Sequence, residues 1–128
     1  MTEFGPLILK DTGDEWIVKE DFIVTDGLTI LVAPKGTPTD GASIPRFFWR
    51  LIGSPLTGAY RKAAVIHDAG YKGTLRWFNG CGVIDYDREM VDNLFLELMK
   101  ALGVSPWRRW MMYRGVRWFG QKPWDDNR

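Results

Sequence analysis

The sequence predicts an α+β fold, with an N-terminal antiparallel β-meander packed on three C-terminal α-helices. Three observations carry that expectation. Residues 7–33 are short β-rich runs broken by turn residues. Residues 59–120 repeat apolar side chains at steps of three and four, the spacing of one helix face. Between them, residues 34–58 are rich in proline and glycine and keep neither period. A chain of 128 residues is long enough to bury a core as one domain. It divides into a meander over 1–33, a functional loop region over 34–58, three helices over 59–120 and a tail over 121–128.

The β runs are Leu7–Lys10, Glu15–Lys19, Phe22–Thr25 and Leu28–Ala33. Thr12–Gly13–Asp14 reads as a turn, and Asp26–Gly27 as a two-residue hairpin loop whose central positions need positive φ. Pro34–Pro45, PKGTPTDGASIP, is too rigid for a flexible linker and too polar for a strand. Surface loops of that length are more often functional than idle.

The next segment, Gly58–Gly73, reads GAYRKAAVIHDAGYKG, with good helix formers between the flanking glycines and no proline inside. It holds the one histidine of the chain, His67, on a stripe with Tyr60, Ala63, Ala64 and Tyr71 that should face other protein. Asp68 projects about 100° round the helix from it. Thr74–Val83 is a connector of ambiguous type. Tyr86–Leu102 has a clean apolar stripe of Val91, Leu94, Phe95, Leu98 and Leu102, with Asp85 or Asp87 to cap it and Gly103 to end it. Ser105–Pro106 opens a third helix running to Gly120, and Gln121–Arg128 reads as a loosely held tail anchored by Trp124.

Composition excludes several function classes. A net charge of +1 gives no global pull toward nucleic acid or acidic lipid. The lone cysteine, Cys81, rules out an intrachain disulfide and a cysteine-rich zinc site. The N-terminus lacks the basic and apolar regions of a signal peptide, and no stretch approaches the ~20 apolar residues of a membrane span. Metal phosphohydrolases with an adjacent His–Asp need further histidines, and no phosphate-binding glycine motif is present.

Three constellations could carry chemistry. The first is His67 with Asp68, Tyr71 and Asp92 on two antiparallel helices. A histidine held by a carboxylate can serve as a general base near neutral pH, and a second carboxylate beside it could hold a hard cation. The alternative, which spacing alone favours, is a satisfied buried histidine with Asp68 paired to an arginine. The second constellation is the loop Thr39–Pro45, in which Asp40 and the carbonyls near Gly41 could complete a cation site with Asp68. Ser43 could be a nucleophile for His67 with Asp92 as third member, although turns in which Asp40 and Ser43 bond their own backbone are the better account of Ser43. The third is PWRRWMMYRGVRWFGQKPW, whose arginines and tryptophans could stack on bases, meet a lipid interface or anchor a protein contact. Its polar and apolar faces separate poorly, which favours a core-packing helix with solvated arginines.

Two resemblances follow from these residues. TDGASIP at 39–45, AAVIHDAGY at 63–71, VDNLFLELMKALGV at 91–104 and MYRGVRWFG at 112–120 resemble a family of small uncharacterised proteins of tailed bacteriophages and prophages. That likeness implies a viral gene product made in the host cytoplasm and associated with the virion or with infection. More locally, His67–Asp68–x–x–Tyr71 followed by Asp92, Phe95 and Met99 is similar to the catalytic helix pair of phospholipase A2, closest to its prokaryotic and parvoviral versions. This second likeness implies His67 as general base, Asp92 as the group orienting it, Tyr71 bonded to Asp92 and Asp68 as a calcium ligand. The flanking cysteines and glycine-rich calcium loop of the secreted enzymes are missing, so the Asp40–Gly41 loop would take the latter part.

Two functions are therefore expected from different classes. One is a phage-encoded hydrolase with a phospholipase A2-like site, calcium-assisted, acting on a phospholipid or envelope ester. The other is a non-enzymatic tail or baseplate component, or a host-interaction protein, in which His67, Asp68 and Asp92 form a structural polar network.

Overall fold

The computed structural model describes residues 1–13, 16–39, 60–80 and 82–127. The chain is a mixed α+β protein with an N-terminal antiparallel sheet and C-terminal helices. The strands are β1 (Thr2–Phe4), β2 (Leu9–Asp11), β3 (Trp16–Val18), β4 (Phe22–Asp26), β5 (Thr29–Ala33) and β6 (Pro38–Thr39). Helix α1 (Arg61–Tyr71) follows, then a hairpin of β7 (Arg76–Asn79) and β8 (Gly82–Val83). Helices α2 (Arg88–Ala101), α3 (Pro106–Phe119) and α4 (Gln121–Asp126) close the chain.

The strands do not form the single meander expected. Among the described residues they divide into a five-stranded sheet, β1-β4-β5-β7-β8, and a three-stranded sheet, β2-β3-β6. All the pairings are antiparallel. The β4–β5 hairpin is present, but its ladder runs one residue further than expected, to Asp26↔Thr29, so the loop is Gly27–Leu28. Gly27 takes φ 60°, the left-handed conformation a tight hairpin needs at its first central position. In-out alternation sets the register: Phe22, Val24, Leu31 and Ala33 face the core, while Ile23 and Ile30 stay exposed.

Three further strands, β6, β7 and β8, come from segments read as irregular. The connector Arg76–Asn79 adds to β5 through Ile30↔Phe78 and Leu31↔Trp77, because β5 otherwise leaves a ladder of unpaired backbone groups. Its aromatic pair has strand propensity, which the nearby glycines disguise. Pro38–Thr39, inside the loop judged too polar for a strand, pairs with Ile17 and Trp16. It forms an edge, where proline's missing N–H costs nothing.

Helix α1 is enclosed on all sides: residues 63–71 are buried without a break. It packs against α2, β5 and β6, and its small residues make that possible. A Cβ on Gly70 would lie 2.6 Å from Val91 Cγ1, so the α1–α2 approach requires glycine there. Asp87 caps α2 by accepting the Met90 N–H at 2.8 Å, with Glu89 in the first turn. Gly103, at φ 79°, ends it in a paired-bond cap, with Val104 N–H on Met99 O and Gly103 N–H on Lys100 O. The expected caps thus hold α2, whereas the Ser105 hydroxyl makes no cap bond and α3 relies on Pro106 in its first turn. The tail is more ordered than expected. Residues 121–126 are helical, Pro123 falls in the tolerated first turn, and Trp124 sets its ring edge-on to Tyr71 at 5.3 Å.

Candidate functional site

The site lies where α1, α2 and α3 meet. His67 and Tyr71 stand one turn apart on α1, and Asp92 and Phe95 stand on the facing stripe of α2. The His67 ring lies against those of Tyr71 and Phe95, with centroids at 4.2 Å and 4.7 Å and planes tilted by 32° and 44°. Its Nε2 lies 2.7 Å from Asp92 Oδ1, and the Tyr71 hydroxyl donates to that same oxygen at 2.7 Å. Arg117 from α3 donates Nη1–H to Asp92 Oδ2 at 2.9 Å. Arg88 steadies the junction, giving Nη2–H to the carbonyls of Val116 and Arg117.

Asp92 is fully buried. Burial alone would push its carboxyl up. The hydrogen bond and charge of His67, with the bonds from Tyr71 and Arg117, outweigh that and hold it below the usual carboxylate value. An ionised Asp92 can only accept, so the proton on Nε2 belongs to His67. In the neutral ring, Nδ1 then carries the lone pair, and it has no hydrogen-bond partner among the described residues. The Tyr71 hydroxyl is pushed well above its ordinary value, first by burial and then by the Asp92 charge, with Arg88 working against both. It stays a donor across ordinary pH.

Asp68 is also fully buried, and its Oδ2 accepts the Thr39 hydroxyl at 2.5 Å. This bond ties the start of the TDGASIP stretch to the residue beside the histidine. Asp40, Gly41 and Ser43 lie outside the described residues. Among the described residues, no group of three or more histidine, cysteine, aspartate or glutamate side chains is arranged to hold a metal. Calcium takes six to eight oxygens, and of the expected ligands only Asp68 lies among the described residues.

Comparison with known proteins places the chain without assigning it an activity. Residues 16–116 match the family described as Protein of unknown function (DUF1353). The chain belongs to that family. An uncharacterized protein y4jT of Sinorhizobium fredii (strain NBRC 101917 / NGR234) is 40% identical over 87 residues, 68% of this chain and 23% of that protein. The chain therefore spans about a quarter of that relative's length. No solved structure matches.

In this DUF1353 member the structure brings together five of the residues singled out in the sequence: His67, Tyr71 and Asp92 in one cluster, and Asp68 bonded to Thr39 beside it. Sequence reasoning gave neither Arg117 nor Arg88 a part in the site, although it sets Arg88 on the same side of its helix as Asp92. Arg88 lies one turn before Asp92, a spacing that hints at a shared face. Nothing in the order of α3 separates Arg117 from its three other arginines; only the packing of Val116 and Gly115 turns it inward.

Proposed function

We propose that this protein is a phage-encoded hydrolase whose site follows the phospholipase A2 design, with His67 as general base. The observation that carries the reading is the donor–acceptor arrangement around one imidazole. Asp92 fixes Nε2–H, Tyr71 shares the same carboxylate oxygen, and among the described residues Nδ1 is left as the free acceptor. A water bonded to Nδ1 would lose its proton to the ring as its oxygen attacks an ester carbonyl. The ring would return that proton to the leaving alcohol oxygen as the tetrahedral intermediate collapses. Asp92 orients the ring and stabilises the imidazolium in between.

Two features of this chain shape that chemistry. Arg117 already neutralises much of the Asp92 charge, so Asp92 stabilises an imidazolium less than an unpaired carboxylate would. His67 has no exposed surface, so catalysis requires an opening that admits water and ester to Nδ1. If calcium takes part, Asp68 would be a ligand together with Asp40, and the metal would polarise the ester carbonyl. The viral origin rests on the likeness of the 39–45, 63–71, 91–104 and 112–120 segments to phage and prophage proteins. The reading is tested by fatty-acid release from phospholipid, which His67→Asn should abolish while keeping the fold.

Complete burial of His67, Asp68 and Asp92 favours a second reading. In it the protein is a virion or host-interaction component, and the three side-chain bonds to Asp92 fix one arrangement of α1, α2 and α3. Here His67→Asn would lower the melting temperature and there would be no hydrolysis to lose.

A further inference from the structure

Helix α3 buries Met112, Gly115 and Val116. On its opposite side Trp107, Trp110, Arg114 and Trp118 form a stripe, at steps of three, four and four. The three tryptophans are 54%, 54% and 64% exposed, unusually open for such large apolar rings. The Arg114 guanidinium lies 5.0 Å from the ring centroids of both Trp110 and Trp118, and Arg108 lies 6.0 Å from that of Trp107. The helix has four arginines and no acidic residue. Between α2 and α3 the stripe borders an open groove of about 560 Å³. Leu96, Trp107 and Trp110 give it an apolar wall; Lys100 and Arg109 give it cations, against the single acid Glu97.

We propose that this face of α3 docks the protein on an anionic phospholipid surface. Tryptophan rings and guanidinium groups side by side match the headgroup layer, where the rings reach toward the acyl boundary and the cations meet phosphate. The groove adds a place for one lipid, with apolar surface for its chains and Lys100 and Arg109 for its phosphate. A second copy of the chain fits less well, since a two-fold contact along α3 would bring arginines against arginines. A nucleic-acid strand also fits less well, because Arg114 already covers one face of both Trp110 and Trp118, and base stacking needs open rings. The inference stands on α3 and the groove alone and does not require His67 to be catalytic.

The test is co-sedimentation of the full chain with vesicles of phosphatidylglycerol and phosphatidylethanolamine, against vesicles of phosphatidylcholine alone, at low ionic strength. Binding should be confined to the anionic vesicles. Arg114→Glu changes the charge by two and should weaken it about thirtyfold, at about fivefold per unit charge near such a surface. Trp110→Ala with Trp118→Ala should also weaken it, while Leu28→Ala, at an exposed hairpin tip remote in sequence from α3, should not; circular dichroism checks that each variant is folded. Absence of binding, equal binding to phosphatidylcholine, or parent-like binding by the folded Arg114 and tryptophan variants would overturn the proposal. So would binding to an oligonucleotide, or a dimer in solution, that these variants lose while vesicles are ignored.

Discussion

At the scale of single residues, the account turns on Asp92. Three donors from three side chains converge on a carboxylate with no exposed surface. Asp92→Ala would leave the Tyr71 hydroxyl, His67 Nε2–H and Arg117 without their acceptor, and should cost about 3–5 kcal/mol in urea unfolding. The same depressed carboxyl sets an acid limit. Above its unfolded value of 3.8 both states are ionised and the stabilisation is complete. As pH falls below that value the unfolded chain takes up the proton first, and stability is lost down through the lower folded value. Urea midpoints followed into acid should fall more steeply for the parent than for Asp92→Asn. The alkaline side has the opposite sign. Tyr60, raised by burial to about 12, and Tyr71 stay protonated in the fold while the unfolded chain ionises from 10.0 upward, so stability should decline above that pH. Tyr71→Phe should flatten part of that decline. His67, Tyr71 and Asp92 could be picked out by spacing, because a helix places residues three and four apart on one face. Arg117 could not, since its partner lies on another element and its own helix gives four equivalent arginines.

At the scale of elements, legibility followed how local the cause was. Helix α2 was readable because its stripe, its Asp87 cap and its Gly103 terminus are all encoded within the helix or beside it. Strand β7 was not, because Arg76–Asn79 becomes a strand only when the edge of β5 is there to receive it. Strand β6 was hidden for the same reason: a proline–threonine pair signals a loop until β3 lies alongside. The close approach of α1 and α2 is another tertiary fact with a local sign, Gly70. Gly70→Ala would press a methyl group into Val91 and should destabilise by about 1–3 kcal/mol, read as a lower thermal midpoint with His67 displaced from Asp92.

At the scale of the whole molecule, the sheets and helices converge on the buried α1, and that burial is what both functional readings must explain. A polar group is expensive to bury, so His67, Asp68 and Asp92 stay inside only because each has bonds that offset the cost. Such a network serves structure unless one atom of it is held back for chemistry; among the described residues His67 Nδ1 has no hydrogen-bond partner, and the proposed hydrolase rests on that atom. The most direct measurement is fatty-acid release from mixed phospholipid vesicles, with calcium and with chelator, for the parent and a folded His67→Asn. The account predicts release by the parent that falls by about 10²–10⁴ in the variant, the usual worth of a positioned base. Loss of release in chelator would make Asp68 and Asp40 the next residues to change. Undiminished release by His67→Asn would contradict it, as would an inactive parent whose variant melts far lower, which would make His67 a structural residue.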